Sequence, residues 1–311
     1  MSSSKPPSQF LLLSQPRTGC HLLERMLSRQ SSINTYLHHP FGSIPRYPRN
    51  WLLIEPLGPI PAALNDKHKF RMERGSKEWG AKLETAQREG KALYVHFHPL
   101  FTMQTDEVFR YVTTASDPTV PTSRNNPTLI PDHLLLHPRT VPVFTIRNPI
   151  LQVSSAYRIA LSVFGGATYA NCLAGTAGRW TRLFYDWYLA HGVRPIVVDA
   201  DDYMSNEAFV RYLCEITGLD PQEVLTRWEN EEERGRELER TYSAVQKTLL
   251  ASRGPEARRA AKNVNLKELE SRWGEEFGSE GAEMLRGIVR AVMSDYEYLR
   301  QRRLVLPGAR M

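Results

Sequence analysis

The feature that most constrains the fold is a run of four apolar residues, Phe10–Leu13, directly before a short polar loop. A strand that is apolar at every position is buried on both faces, as the strands of parallel sheets are. Beyond the loop, Gly19 breaks the pattern. Apolar residues then recur at helical spacing, at Leu22, Leu23, Met26 and Leu27. The segment therefore predicts a buried strand, a loop and a helix.

Three further apolar segments predict strands, at Ala92–Phe97, Val141–Ile146 and Pro195–Asp199. Helical patterns lie between and after them, so strands and helices alternate along the chain. A late helix has an apolar face made of Leu285, Ile288, Val289, Val292 and Tyr296. We therefore expect a three-layer α/β/α domain with a mostly parallel central sheet and a helical C-terminal elaboration.

The domain organisation is predicted from shifts in composition along the chain. Residues 1–8 are rich in Ser and Pro, which predicts a flexible N-terminus. Residues 9–311 are expected to form one domain that is interrupted by two long segments. Residues 36–61 are rich in aromatic residues and proline, and residues 113–142 contain six prolines. We interpret both as loop insertions, which act as lids and pocket walls or are variable surface segments.

The composition excludes several classes of protein. The 311 residues are 41% hydrophobic and 24% charged, as is typical of globular chains. No apolar stretch approaches the roughly 20 residues that span a bilayer, and the run near the start is too short for a signal-peptide core. Three cysteines, Cys20, Cys172 and Cys214, are a poor basis for a secreted disulfide scaffold. We expect a cytoplasmic protein without a membrane partner.

The charge balance allows several kinds of ligand. The 40 Lys and Arg residues outnumber the 34 Asp and Glu residues, which gives a formal net charge of +6. A basic chain can bind nucleic acid or any anionic ligand. The basic residues are scattered, however, and no nucleic-acid-binding motif is present. We therefore expect no nucleic-acid partner and interpret the excess charge as a mildly basic surface.

The loop after the first strand, S-Q-P-R-T-G, has the features of a phosphate site. It leads into a helix N-terminus, where free backbone N–H groups and the helix dipole favour an anion. Arg17 adds a cation, Thr18 adds a hydroxyl donor, and Gly19 allows the backbone to approach closely. The nucleotide-triphosphate pattern G-x-x-x-x-G-K-[ST] is absent, which indicates a phosphate site without a metal. An ordinary βα turn is the alternative interpretation.

A second predicted strand also ends in a cation. The strand Val141–Ile146 is followed by Arg147 and Asn148, and Pro149 is well suited to the first turn of a helix. Ser155 comes two helical turns later. Arg147 and Ser155 could therefore converge on one anion.

Together, the P-[KR]-[ST]-G loop and the motif R-N-P-x-x-x-x-x-S resemble the sulfotransferase family that uses 3′-phosphoadenosine-5′-phosphosulfate (PAPS). The chain looks closest to the divergent sulfotransferase-like P-loop proteins of filamentous fungi. The resemblance implies that the 5′-phosphate of the nucleotide is held by Arg17, Thr18, Gly19, Cys20 and His21. It implies that Arg147 and Ser155 hold the 3′-phosphate.

The sequence departs from the family pattern at two places. Cys20 and His21 stand where the family often has two Ser or Thr residues, so two hydroxyl donors are lost and a non-sulfonating role on the same fold is conceivable. The family also has a late basic loop that contains glycine and binds the 3′-phosphate. The segment 252–262 occupies that position with a poor match of spacing, and we interpret it as a solvated basic turn.

The candidate base follows the second predicted strand. His96 and His98 point to the same face of a strand, so both imidazoles could face a cleft at the carboxyl ends of the strands. The resemblance implies that His98 is the base and that His96 replaces a family lysine. Imidazole can take an alcohol proton near neutral pH. The alternative is that one or both only form hydrogen bonds at the strand end.

The histidines do not predict a metal centre. His38, His39 and His137 add to the two histidines above, but no tight Cys/His or H-E-x-x-H spacing is present. We expect no metal.

The residues and the resemblance together predict the transfer of a sulfuryl group from PAPS to a hydroxyl of a small-molecule acceptor. The product nucleotide is 3′-phosphoadenosine-5′-phosphate (PAP). The catalytic residues expected from the resemblance are His98, Arg17 and His96. Two alternatives stay open: an enzyme of this fold that has lost PAPS and performs acid–base elimination or dehydration, and a non-catalytic nucleotide- or anion-binding module.

Overall fold

The structure, a computed structural model, describes residues 7–41, 51–53, 57–114, 125–230 and 240–308, without the side chains of residues 34 and 240–244. Five strands form one sheet in the order β2-β3-β1-β4-β5, and every neighbouring pair is parallel. The strands are β1 (Gln9–Ser14), β2 (Ile33–His38), β3 (Ala92–Phe97), β4 (Thr140–Ile146) and β5 (Ile196–Asp199).

Helices connect and follow the strands. The α-helices of the described residues are α1 (Cys20–Met26), α2 (Ala62–Arg88), α3 (Thr105–Thr113), α4 (Asp132–Leu135), α5 (Pro149–Phe164), α6 (Tyr169–Thr176), α7 (Gly178–Ala190), α8 (Ala200–Ser205), α9 (Glu207–Thr217), α10 (Arg240–Leu250), α11 (Leu266–Ser271) and α12 (Trp273–Arg300). Short 3₁₀ helices are found at Pro99–Thr102, Pro221–Glu223, Ala257–Arg259 and Ala261–Asn263. Among these described segments, none combines the length and the apolar character that crossing a bilayer would require.

The central strand β1 is buried on both faces because helices cover both sides of the sheet. Leu11 and Leu13 pack into one core with α2, α5, α7 and α12. Phe10 and Leu12 point the other way and pack with α1, α8 and α9. This arrangement confirms the three-layer α/β/α fold that the fully apolar run predicted.

The four predicted strands are present, and each observed boundary lies within one residue of the predicted one. The edge strand β2 was not predicted. Ile33 and Leu37 are buried in the cores on opposite sides of the sheet, because the strand register shifts between Ile33 and Thr35, and His38 is exposed. Its last three residues belong to the segment 36–61, which we had interpreted as a loop insertion.

The structure adds detail to two other predicted segments, the N-terminus and the insertion at residues 113–142. Ser8 is buried, and its hydroxyl donates a hydrogen bond of 2.6 Å to the carbonyl of Pro138. Residues 7 and 8 are therefore held beside β4 rather than flexible, while residues 1–6 lie outside the described residues. The segment 113–142 contains α4 and the start of β4. Parts of both insertions, at residues 42–50, 54–56 and 115–124, also lie outside the described residues.

Candidate functional site

The candidate site lies at the carboxyl edge of the sheet, where parallel α/β folds bind ligands. β1, β3 and β4 are neighbours in the sheet and end in register, with Leu13 opposite both Phe97 and Phe144. The segments that follow these strands therefore lie side by side. They are the loop 15–19, the residues after Phe97, and the turn that begins with Arg147.

The loop 15–19 is held in an unusual backbone conformation. Arg17 has a φ of 69° and Gly19 a φ of 81°, both in the left-handed region. A Cβ atom on Gly19 would lie 2.5 Å from Met204 Cε and 3.2 Å from the Tyr203 hydroxyl. The Tyr203 hydroxyl also donates a hydrogen bond to the carbonyl of Thr18. Gly19 is therefore required both by its φ and by the close approach of α8.

Thr18 turns its side chain into the protein. Its hydroxyl donates to the carbonyl of Gln15 over 2.9 Å and lies 2.7 Å from the Thr145 hydroxyl on β4. The side chain is 1% exposed. Among the predicted phosphate-binding residues, Thr18 thus fixes the loop to the sheet through its hydroxyl instead of presenting it to a ligand.

A cavity of about 390 Å³ opens beside the loop. We call it the basic cavity. Its lining includes six of the seven residues predicted to bind the nucleotide: Arg17, Gly19, Cys20, His21, Arg147 and Ser155. The structure therefore brings the two sequence motifs to one cavity, although more than a hundred residues separate them.

Arg17 and Arg147 form the cationic centre of the basic cavity. Arg17 donates from Nε to Ser155 Oγ over 3.0 Å and from Nη1 to the Val245 carbonyl over 2.6 Å. Arg147 donates from Nη1 to the carbonyl of Arg17 over 3.0 Å. These hydrogen bonds end on a hydroxyl and on carbonyls rather than on carboxylates, and burial lowers the pKa of both guanidinium groups.

The Nε atom of Arg147 is buried and has no hydrogen-bond partner among the described residues. A buried donor on a cation is costly unless it is paired. A phosphate in the basic cavity would supply both the acceptor and the negative charge.

The C-terminal region forms the far wall of the basic cavity. The Asp201 carboxylate accepts the backbone N–H groups of Ala261 and Lys262, over 2.5 Å and 3.1 Å, which fastens this region to α8. The segment that we had interpreted as a solvated basic turn therefore contributes to the wall with Ser252, Gly254, Arg258 and Arg259.

Arg258 and Arg259 both form ion pairs with Glu256. Arg147 also donates to the Arg259 carbonyl over 3.4 Å. The sequence did not predict this wall because the spacing in segment 252–262 is a poor match to the late basic loop of the sulfotransferase family. The approach of the segment depends on the carboxylate of Asp201.

A second cavity, of about 210 Å³, adjoins the first. We call it the apolar cavity. Its lining is mainly hydrophobic and includes Leu52, Leu100, Phe101, Ile159, Ala160 and Phe164. His39 and His98 also line it, and it shares Arg17, Cys20 and His21 with the basic cavity. Ligands in the two cavities would therefore meet at the start of α1.

His96 and His98 share the hydroxyl of Ser14. Ser14 Oγ lies 2.9 Å from His96 Nε2 and 3.0 Å from His98 Nδ1. His98 Nδ1 is also 2.6 Å from the Ser14 carbonyl, which only accepts, so Nδ1 carries the proton and Nε2 is the free basic nitrogen. Burial and the nearby His96 lower the pKa of His98 well below its usual value.

The two histidines differ in access. His98 lines the apolar cavity, whereas His96 is fully buried and lines neither cavity. Burial would lower the pKa of His96, but Glu24 and Cys20 raise it. The structure thus places His98, and not His96, where a ligand could be reached.

Cys20 is the first residue of α1 and faces both cavities. Burial would raise the pKa of its thiol, but His21 and His96 lower it. The Cys20 thiol therefore loses its proton more readily than the thiol of a buried cysteine normally does. His21, the next residue, bonds through Nδ1 to Glu24 Oε2 over 3.0 Å.

Glu24 is the acidic centre of a histidine cluster that sequence reasoning did not find. His38 Nδ1 lies 2.8 Å and His96 Nδ1 lies 3.3 Å from its Oε1 atom. Burial would raise the pKa of Glu24, but His96, His21 and His38 hold it well below its usual value. The spacing of three residues between His21 and Glu24 on α1 was the available signal.

The candidate metal ligands of the described residues are His21, Glu24 and His96, whose ligating atoms lie within 4.8 Å of one another. His39 also packs here, with its ring centroid 4.8 Å from that of His96. His137 lies elsewhere and contacts Ser8 and Gln87. The absence of a metal remains a prediction from the sequence.

Two proteins of similar sequence bear on the family of this chain. A protein named sulfotransferase ppzF from Metarhizium rileyi (strain RCEF 4871) is 28% identical over 335 aligned residues, covering 96% of each chain. A second sulfotransferase ppzF, from Metarhizium majus (strain ARSEF 297), is 28% identical over 336 aligned residues, covering 96% of this chain and 97% of the relative. These matches support a divergent sulfotransferase family for this chain. The resemblance predicted from the two motifs is confirmed.

No family model matches the chain. A crystal structure of a sulfotransferase from Alicyclobacillus acidocaldarius is 13% identical and covers 94% of this chain and 99% of its own. Its TM-score is 0.38, which is too low to bear on the assignment. The sulfotransferase family is therefore supported by the two Metarhizium relatives.

Proposed function

We propose that the protein transfers a sulfuryl group from PAPS to a hydroxyl of a small acceptor. The observation that carries the proposal is the meeting of a basic cavity and an apolar cavity at Arg17, Cys20 and His21. A sulfuryl transferase needs an anionic donor and a hydroxylated acceptor to meet in this way. The names of the two relatives support the same class of reaction.

The basic cavity is the proposed donor site. The loop 15–19 and the N-terminus of α1 would hold the 5′-phosphosulfate, because backbone N–H groups and the helix dipole favour an anion there. Arg147, with its buried and unpaired Nε, and Ser155 would hold the 3′-phosphate. The two partly buried guanidinium groups fit a doubly phosphorylated nucleotide better than a neutral ligand.

The reaction would proceed by in-line displacement at sulfur. His98 Nε2 takes the proton of the acceptor hydroxyl, and the acceptor oxygen forms a bond to sulfur. The bond between sulfur and the phosphate oxygen breaks, and its electron pair stays on PAP. Arg17 and the N–H groups at the start of α1 stabilise this charge, while the proton remains on His98.

His96 acts as a positioning residue in this proposal. It is fully buried, it shares the hydroxyl of Ser14 with His98, and its ring centroid lies 5.6 Å from that of His98. Its contact with Glu24 on α1 links β3 to the helix that carries the phosphate loop. This role differs from the catalytic role that the resemblance implied for His96.

The apolar cavity indicates the acceptor class. Its volume of about 210 Å³ and its lining of Leu, Ile and Phe side chains suit a small aromatic or aliphatic alcohol. Phe101 offers a flat surface against which an aromatic ring could stack. We therefore propose phenols and apolar alcohols rather than sugars as acceptors.

A second candidate function is acid–base elimination or dehydration on the same fold. The imidazoles of His21, His39 and His98 along the apolar cavity favour it, because such chemistry needs a base and an acid near an apolar substrate. This activity would not need PAPS.

The test is a transfer assay on the full chain with PAPS that carries radioactive sulfur and a panel of phenols and alcohols. The proposal predicts label in an organic product and the release of PAP in equal amount. Bound PAPS with no transfer to any acceptor would contradict it and leave a nucleotide-binding module. Conversion of an acceptor without PAPS would favour the elimination reaction.

A further inference from the structure

We infer that His21, Glu24 and His96 form a binding site for a divalent transition metal of the zinc class at the wall of the two cavities. This inference goes beyond the proposed function and runs against the expectation from the sequence. It rests on the geometry of three side chains that come from α1 and β3.

A hydrogen bond joins His21 Nδ1 to Glu24 Oε2, but the other atoms of the cluster are less well paired. Oε1 of Glu24 and Nδ1 of His96 are both buried, and neither has a hydrogen-bond partner among the described residues. Yet His96 Nδ1 lies 3.3 Å from this oxygen, and His38 Nδ1 lies only 2.8 Å from it. The polar atoms of these residues thus converge on one point, where a divalent cation would satisfy both atoms that lack a partner.

The distances from Glu24 to the two histidines are close to those of a tetrahedral site, and all three ligand atoms lie within 4.8 Å of one another. Metal bonds of about 2.0–2.1 Å in a tetrahedral zinc centre place neighbouring ligand atoms roughly 3.4 Å apart. His21 Nδ1 lies 3.0 Å from Glu24 Oε2, and His96 Nδ1 lies 3.3 Å from Oε1. Small rotations of the side chains would therefore admit the ion.

The donor set selects the class of metal. Two imidazole nitrogens and one carboxylate oxygen suit Zn²⁺ and the neighbouring transition metals, whereas Mg²⁺ and Ca²⁺ prefer sites made of oxygen atoms. His38 provides a fourth donor, because it lies on β2 directly opposite His96 in the strand register. His38 is half exposed, so it is free to turn towards the ion or to leave a position open.

The site would connect the phosphate loop to the sheet. His21 and Glu24 lie on α1, directly after the loop 15–19, while His96 lies in β3. A bound ion would fix the start of α1 against β3 and would stabilise the folded chain. His21 also lines both cavities, so the ion would lie close to bound ligands.

The experiment uses the untagged full chain, stripped of metal with a chelator and then freed of the chelator. Zn²⁺ alone is titrated in, bound metal is measured by elemental mass spectrometry, and thermal unfolding is followed. Co²⁺ is added in parallel because tetrahedral coordination gives it strong visible absorption. We expect one equivalent of Zn²⁺ to bind with a rise in the unfolding temperature.

The variants Glu24→Gln and His21→Gln test the ligands, with His137→Gln as the matched control. Loss of a ligand should weaken Zn²⁺ binding by at least about tenfold, since even outer-shell changes cost about 10- to 100-fold. His137→Gln should bind as the wild type does, because His137 lies with Ser8 and Gln87. His21 is 31% exposed, so His21→Gln should fold even if a variant of the buried His96 does not.

Two results would overturn the inference. One is the absence of stoichiometric Zn²⁺ binding by the wild type. The other is equal binding by the wild type, Glu24→Gln and His21→Gln, which would show that the ion is held elsewhere. Neither result bears on PAP binding, so failure of this inference and failure of the proposed function can be told apart.

Discussion

Arg17 donates a hydrogen bond from Nε to Ser155 Oγ over 3.0 Å, although 138 positions separate the two residues in the chain. This contact joins the loop after β1 to α5, which follows β4. The two motifs are therefore in contact at one cavity, because Arg17 comes from the loop motif and Ser155 from the R-N-P motif. A ligand that binds one motif must therefore affect the other.

The first prediction concerns Arg147→Ala. Its guanidinium is partly buried, and its buried Nε lacks a partner among the described residues, so a bound phosphate should accept a hydrogen bond from it. Loss of a charge-assisted contact costs about 1.5–3 kcal/mol, which weakens PAP binding about 10- to 150-fold. Calorimetric titration with PAP measures the change. Arg110→Ala is the control, because Arg110 pairs with Glu107 outside both cavities. Unchanged PAP affinity in a folded Arg147→Ala variant would remove Arg147 from the site.

The second prediction separates catalysis from binding at His98. Gln at position 98 can still donate to the Ser14 carbonyl but cannot act as a base. We expect kcat for the best acceptor to fall by about 10²–10⁴-fold with little change in PAP affinity. His137→Gln should keep the wild-type rate. A wild-type kcat in a folded His98→Gln variant would exclude His98 as the base.

The third prediction concerns the phosphate loop itself. Gly19→Ala introduces a side chain at a φ of 81° and 2.5 Å from Met204 Cε. The end of Met204 can move, but the backbone strain remains, so the free energy of unfolding should fall by roughly 1–3 kcal/mol. Gly80→Ala in α2 is the matched control, since its Cβ would meet only Leu134 Cδ2 at 3.9 Å. Urea unfolding of the wild type and both variants measures these free energies. A Gly19→Ala variant as stable as the wild type would show that the loop accepts a side chain.

The fourth prediction concerns the pH dependence of stability at Asp199. Burial and the nearby Asp201 raise the pKa of Asp199 to about 6, while its side chain caps α8 and accepts from the Tyr296 hydroxyl. A raised carboxyl pKa means that the folded state holds the proton longer than the unfolded state does. Stability from this group is therefore lost as the pH rises from about 4 to about 6.

The variant Asp199→Asn tests this sign, because Asn carries no charge, keeps one oxygen to accept from the N–H of Asp201, and offers an amide donor to the Tyr296 oxygen. At pH 7.5 it should be more stable than the wild type by up to roughly 3 kcal/mol, and the difference should vanish near pH 4. Urea unfolding across this range gives the values, with Asp132→Asn on the exposed start of α4 as the control. If the free energy of unfolding of Asp199→Asn depended on pH as that of the wild type does, the raised pKa of Asp199 would be contradicted.

The sequence was sufficient for the parts of the fold that local chemistry determines. A strand buried on both faces must be apolar throughout, so β1, β3, β4 and β5 could be located within one residue. The edge strand β2 was not predicted because its six residues mix polar and apolar side chains without a regular pattern. The phosphate loop and the turn at Arg147 were found because each stands directly after an apolar strand.

Other features depend on contacts that no local pattern shows. The Thr18 hydroxyl turns inward because it donates to the Gln15 carbonyl and lies within hydrogen-bond distance of the Thr145 hydroxyl. Glu24 meets His96 only because α1 packs across the end of β3. Arg258 and Arg259 reach the basic cavity because Asp201 holds the chain near Ala261. In each case a distant partner determines which way the side chain or segment faces.

The central claim is that the basic cavity binds the donor nucleotide through its 3′-phosphate. The most direct measurement is a calorimetric titration of the full chain with PAP and, separately, with AMP, which lacks only that phosphate. The account predicts that PAP binds at least about tenfold more tightly than AMP, since the 3′-phosphate adds charge-assisted contacts of about 1.5–3 kcal/mol. In Arg147→Ala this preference should shrink. Equal affinity for PAP and AMP, or no binding of PAP, would contradict the account.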